Sequence, residues 1–520
     1  MIALAAILIF TTSIPALSRS LYDVPREQAI IYSGGESTNP RSYDPATTHG
    51  SGDKLIFSGL VALDPKMNLI PDIAESWTVS ADGMTYTFKI RANAKFHDGR
   101  AVTAQDFVYA WERAADPATE SDTVLTYLGD IVGVKDMRLG QADHIAGINA
   151  LDDQTLQVTI DAPKPYFLLK LTYPTAFVLD QQNIESGSEW YRTPNGTGPY
   201  KLIEWRRFEQ ITYQRNESYY LGAPAIPYVI VKIYSGNDFR MYESDEIDVA
   251  GVPFYNAARV LDPTDLLHDE LLAGVNLCTD YIAFDSTQPP FDDANVRRAF
   301  SLAIDRQKLI DVLYSGHAIA AKGVFPPGLP GYDVNRAALE YDPTQARALL
   351  KQSKYGDQLP PIVYTTGGIG SYADPQISAL AQMWKQNLGV TITIENIEPN
   401  YYFDFIYGEK RSGQIFNSGW CADYPDPENF ADVLFHTGSD QNLGRYSNAA
   451  LDQLLEQARI ERDVTKRIAL YQQAEQMLVD DAAALFLTHS YAYTLVKPRV
   501  KGYVLTPIDI ALERYLWLQP

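Results

Sequence analysis

The chain has 520 residues, too many for one ordinary core, and at about 150 residues per domain it divides into roughly three or four. Its make-up, 46% hydrophobic, 21% charged and 12% aromatic, is that of a folded globular protein and excludes disordered, collagen-like and coiled-coil classes. The 43 Lys and Arg against 65 Asp and Glu leave a net charge of −22, which repels a nucleic-acid backbone or an anionic lipid surface, while 2 cysteines are too few for a disulfide scaffold or a Cys-based zinc site.

The N-terminus runs apolar from Met1 to Phe10 and on through Ile14, Ala16 and Leu17 before turning polar at Ser18 and Arg19. Residues 1–20 are expected to be an export segment, with Ala16 and Ser18 as the small residues of a cleavage site or, if uncut, as part of a tether. No cysteine stands near it to carry a lipid, and no later stretch approaches about 18 uninterrupted apolar residues. The protein is expected to work outside the cytoplasm.

TYTFKI, ending at Ile90, and TLQVTI, from Thr155 to Ile160, alternate at the strand period. Between them Thr103 and Asp106 form a capping-box signal for a helix that carries Phe107, Ala110, Trp111 and Ala114 on one face. This is a self-contained α+β unit. From Tyr200 to Gly251 the strings YKLIEW, EQITYQ and YVIVKIY predict strands of one sheet. After Cys278 helices alternate with short strands. Asp292 and Asp293 open a helix expected to run through Ala299, Leu302, Ala303 and Ile310. Asp374 and Pro375 open another through Leu380, Trp384 and Leu388, closed by Gly389 and followed by the strand VTITIE. Amphipathic helices over Ser447–Ala458 and Asp463–Leu478 precede a strand-rich tail from Ala484.

Catalytic and metal signatures are poor. There is no GxSxG nucleophile elbow, HExxH helix, P-loop or EF-hand loop, and the 7 His are scattered without ligand spacing. No cofactor, no metal and no enzymatic activity are expected. A secreted glycan hydrolase would need two carboxylates facing one bond about 5 to 10 Å apart; neighbouring acidic pairs such as Asp426 with Glu428 exist, but solvent-exposed turns explain them more simply.

Six strings in order resemble the oligopeptide-binding proteins of bacterial ABC importers, the extracellular solute-binding proteins of family 5. They are LIPDIAESW (Leu69 to Trp77), YTFKIRANAKFHD (Tyr86 to Asp98), VTAQDFVYAW (Val102 to Trp111), NGTGPY (Asn195 to Tyr200), PPFDDANVRRAFSLAIDR (Pro289 to Arg306) and GWCADY (Gly419 to Tyr424). The resemblance covers nearly the whole chain after residue 28. It implies an α/β, two-lobed fold of the class II periplasmic-binding-protein kind, with a small α+β domain inserted in the first lobe. Lobe I would comprise 21–57, 176–275 and 491–520, the insert 58–175, and lobe II 276–490. The implied function is capture of oligopeptides by hinge closure and delivery to a membrane permease, by a monomer; a sugar oligomer, an opine or a metal chelate is the alternative ligand, since fold does not fix ligand.

For the site, the resemblance implies that Asp423 binds the peptide's α-amino group. A carboxylate in a closed cleft suits an ammonium, and each charge-assisted hydrogen bond contributes about 1.5 to 3 kcal/mol. Gly419 and Cys421 would offer main-chain groups to an extended peptide, with Gly50 and Ser51 on the opposite wall, Trp420 lining a side-chain pocket, and His489 near the cleft. Cys278 and Cys421 fall where relatives carry a disulfide, worth roughly 5 kcal/mol by chain entropy for so long a loop. Where relatives meet the peptide carboxylate with Lys, His or Arg, this chain reads Tyr314, Ala373 and Asn417. Longer ligands, water, another cation such as Arg445, or a ligand other than a short peptide would account for the loss. Tyr401 and Tyr402 are further candidates for a Tyr-rich cleft wall.

Overall fold

The computed structural model of the chain describes residues 24–34, 42–47, 52–233, 235–356, 358–367, 374–408 and 411–519. The expected export segment, Gly50, Ser51 and Ala373 lie outside the described residues.

Two long strands rich in β-branched and aromatic residues, Leu271–Phe284 and Ala484–Val496, run antiparallel through the middle of an eleven-stranded sheet. Their pairing runs from Leu271 with Leu495 to Val275 with Tyr491, breaks, and resumes at Thr279 with His489. On one side of the break Leu495 packs with Phe239 and Tyr242; on the other, Leu485 and Leu487 pack with Phe300 and Trp384. The same two strands therefore enter two different cores, with a register irregularity between them. Such an irregularity bends a strand locally and is a natural place for relative motion.

In the first half, strands Tyr200–Arg206, Gln210–Arg215 and Tyr228–Ile233 form an antiparallel meander, and Ala29–Gly34 pairs parallel with the last of them. These are the strands predicted between Tyr200 and Gly251, in one sheet. A separate four-stranded sheet, Ala74–Val79, Thr85–Ile90, Thr155–Thr159 and Ile148–Asp152, carries the helix Ala104–Ala115. That helix starts at the predicted capping box of Thr103 and Asp106 and buries Phe107, Ala110, Trp111 and Ala114. Trp111 Nε1 donates to Ala176 O at 3.0 Å, tying the unit to the segment that follows it.

In the second half, parallel strands Ile362–Gly367 and Ile392–Ile397 flank the helix Pro375–Leu388, which Asp374 caps at its start and Gly389, at φ 74°, ends. The helix expected to run from Asp292 and Asp293 to Ile310 is two helices, Ala294–Leu302 and Arg306–Leu313. Asp305 breaks it: its carboxylate accepts from Lys308 N at 3.0 Å and starts a new N-terminus. The two halves together are the two-lobed α/β arrangement expected from the sequence, with the small α+β unit attached to the first.

Candidate functional site

Strand Ile415–Cys421 pairs along its whole length with Leu271–Phe284, but its other edge meets Ile362–Gly367 only at Ile415 and Phe416. Tyr402 is buried beneath the next position and donates to Asn417 O at 2.8 Å. From Ser418 to Cys421 that edge has no strand partner among the described residues. An unpaired edge is a template for an added strand. Cys421 stands directly across from Cys278, and the two form a disulfide, the pairing that the resemblance implies.

Just past the strand, Asp423 is held from two sides. Its N–H donates to Asn429 Oδ1 at 3.0 Å, and Asn429 Nδ2 donates back to its Oδ2 at 3.2 Å. Trp420 Nε1 donates to the same Asn429 oxygen at 3.0 Å, so one buried amide orients both the indole and the carboxylate. From the other half of the molecule the Tyr127 hydroxyl donates to Asp423 Oδ2 at 2.6 Å. The Tyr127 ring stacks on Tyr173 at 3.6 Å, with Tyr424 edge-on to it. Burial first, and then the charge of Asp423, hold the Tyr127 hydroxyl well above its ordinary pKa, which keeps it a neutral donor.

Around this contact the seam between the halves is buried and charged. Lys170 Nζ lies 3.1 Å from both Asp130, in its own half, and Glu428, in the other. Burial alone would lower its pKa, but Asp130 and Glu428 outweigh that and hold it above its ordinary value. Arg467 grips Asp426 with both guanidinium nitrogens, at 2.6 and 2.8 Å, and lies over the ring of Tyr166. Asp426 and Glu428 were expected in solvent-exposed turns. They are instead buried at the seam, 6% and 4% exposed, because Arg467 and Lys170 neutralise them. The sequence held no signal for this, since the partners lie far away along the chain.

Beside the open strand edge is a cavity of about 350 Å³, lined by Asp280, Gln376, Tyr402, Phe403, Asn417 and Gly419 among others. Asp280 pairs across the strands with Gly419, and a Cβ at position 419 would stand 3.0 Å from Asp280 Oδ1. Glycine keeps that carboxylate accessible. His489, expected near the cleft, sits inside the sheet at 1% exposure, with Nδ1 2.9 Å from the Thr279 hydroxyl. That hydroxyl donates to Val324 O, so His489 Nδ1–H is the donor in the pair. Arg445 lies 3.9 Å from Asp285 and does not line the cavity. Tyr401 is exposed.

The sequence model described as bacterial extracellular solute-binding proteins, family 5 Middle, matches residues 68–442. The chain is 30% identical to the periplasmic oligopeptide-binding protein OppA of Salmonella typhimurium, over 98% of this chain and 97% of that one. Its fold superposes on the structure of the Escherichia coli murein tripeptide binding protein MppA with a TM-score of 0.83 at 28% identity, covering 95% of this chain and 99% of the other. Against an unliganded open form of MppA the TM-score is 0.71 at 29% identity, covering 95% and 98%. The lower score against the open form agrees with the Tyr127 and Lys170 contacts across the seam: the halves are closed on one another. The chain belongs to the bacterial extracellular solute-binding proteins of family 5.

Proposed function

We propose that the protein captures oligopeptides outside the cytoplasm by closing its two lobes around them, and delivers them as a monomer to the membrane permease of an ABC importer. The observation that carries this reading is the open edge of Ser418–Cys421 leading directly to the oriented carboxylate of Asp423. An extended peptide adds to the edge through Gly419 and Cys421 main-chain groups, whatever its side chains, and its α-amino group meets Asp423. Trp420 and Asn417 flank the same edge. The names of the relatives, an oligopeptide-binding and a murein tripeptide-binding protein, both periplasmic or peptide-directed, support the same ligand class and compartment. Among the described residues no helix is long and apolar enough to cross a membrane.

The proposed lobes are those expected from the sequence: 21–57, 176–275 and 491–520 with the insert 58–175, and 276–490. The pairing break between Val275 and Thr279 supports a joint near 276. A ligand shifts the balance toward the closed form only by binding it more tightly than the open one, so it must engage groups on both lobes. Gly50 and Ser51 are the proposed contacts on the wall opposite the open edge.

Calorimetry with Ala-only peptides of five to seven residues tests the reading. Binding is expected, and Asp423→Ala or N-acetylation of the peptide should each weaken it by about ten- to a hundredfold, the loss of one charge-assisted contact. Equal affinity for acetylated and free peptides would remove the amine assignment. Mass spectrometry of the incubated peptides should return them uncut, as a carrier requires; cleavage products would turn the reading toward an enzyme.

A further inference from the structure

The cavity beside the open edge has the wrong charge to receive the carboxylate of a short peptide. Its polar walls are amides and hydroxyls, Gln376, Asn417, Ser418 and Tyr402, with the carboxylate of Asp280, and no Lys, Arg or His lines it among the described residues.

Asp280 is half-buried, and the hydrogen bond it accepts comes from a neutral group, the Thr488 hydroxyl at 3.0 Å. Burial pushes its carboxyl above the ordinary value, and no cation among the described residues pulls it back. A carboxylate in such surroundings is costly unless a positive partner arrives. The missing side chain at Gly419 leaves the approach to Asp280 Oδ1 clear. Leu487 and the exposed ring of Phe403 add apolar wall for an aliphatic stem.

Resting on the peptide-binding reading above, we propose that this cavity is a side-chain subsite for a cation, an ammonium or guanidinium carried by an extended peptide and bonded by Asp280. Gly419, opposite Asp280, precedes Asp423 by four residues, about 13 Å of strand at 3.3 Å per residue. The cationic side chain therefore belongs about three to four residues from the peptide's amino end. A free C-terminal carboxylate in the same place would face like charge, so ligands continue past the cavity.

Calorimetry on the full chain tests this with pentapeptides of alanine in which Lys is moved through positions 2 to 5, each matched by a norleucine peptide. One Lys register should bind about tenfold or more tightly than its uncharged isostere, the value of a charge-assisted hydrogen bond. Asp280→Asn, which keeps the size and an acceptor for Thr488, should erase that difference. Equal binding of Lys and norleucine peptides at every register by the unaltered protein would overturn the cation subsite and leave the peptide reading standing. Failure of every peptide to bind would bring down the peptide reading and the subsite together.

Discussion

The Tyr127 hydroxyl donates to Asp423 Oδ2 at 2.6 Å across 296 positions of sequence, and it joins the inserted α+β unit to the segment that ends the open strand. The carboxylate proposed to meet a ligand amine thus also bridges the two halves of the closed form. Tyr127→Phe keeps the stack on Tyr173 and removes only the hydrogen bond. Peptide affinity should fall about three- to tenfold, near 1 kcal/mol, and the ligand-free protein should become more extended in small-angle scattering. Unchanged affinity together with an unchanged radius would show that the bond does not bias closure.

A larger effect is expected from Lys170, whose ammonium sits between Asp130 and Glu428. Lys170→Met leaves Glu428 buried without its cation only when the lobes are closed, whereas Asp130 retains Lys164 at 2.7 Å in either state. Breaking a buried pair in this way costs about 3 kcal/mol or more, so peptide binding should weaken on the order of a hundredfold. Glu428→Gln in the same chain should recover part of the loss, because it removes the stranded charge. If the double variant bound no better than Lys170→Met alone, the seam would not be the source of the defect.

What could be read from the sequence was local. The capping box of Thr103 and Asp106, the Asp374 start and Gly389 stop, and the strand period of TYTFKI are short-range signals, and each marks an element of the fold. That Cys278 and Cys421 are bridged came from the family resemblance, since no local rule says whether two distant cysteines pair. The long helix expected through Ile310 failed because its apolar period continues across Ile304 while Asp305 imposes a new cap. The seam was not legible at all: in a sequence, Asp426 and Glu428 beside two prolines read as a turn, and only the fold brings Arg467 and Lys170 onto them. Asp280 was equally silent, since its meaning depends on the glycine across the strand pair.

The Cys278–Cys421 bridge closes a loop with a sequence separation of 143 and sits beside the pairing break of the two long strands. Chain entropy alone assigns it about 5 kcal/mol, an upper figure. Replacing both cysteines by Ser, or adding a strong reductant to the unaltered protein, should lower Tm in calorimetry by similar amounts. Equal Tm with and without the bridge would mean that the strand ladder alone fixes this junction.

Acid stability depends on buried neutral histidine. Burial holds His489 down at about 4, from an ordinary value of 6.5, and His97 is pushed down to about 4 as well. Above pH 6.5 both folded and unfolded chains carry neutral imidazole, so the full stability is present. Between 6.5 and about 4 the unfolded chain takes up a proton that the folded one refuses, and stability falls with pH; below about 4 both are charged and this contribution is spent. For His489 the loss is about 3 kcal/mol across the window. His489→Asn keeps an N–H for the Thr279 hydroxyl but no titrating group. Urea unfolding at pH 7, 6, 5 and 4 should show a shallower decline for this variant than for the unaltered chain, with His97 still contributing its share. Parallel declines in the two proteins would place the acid sensitivity elsewhere.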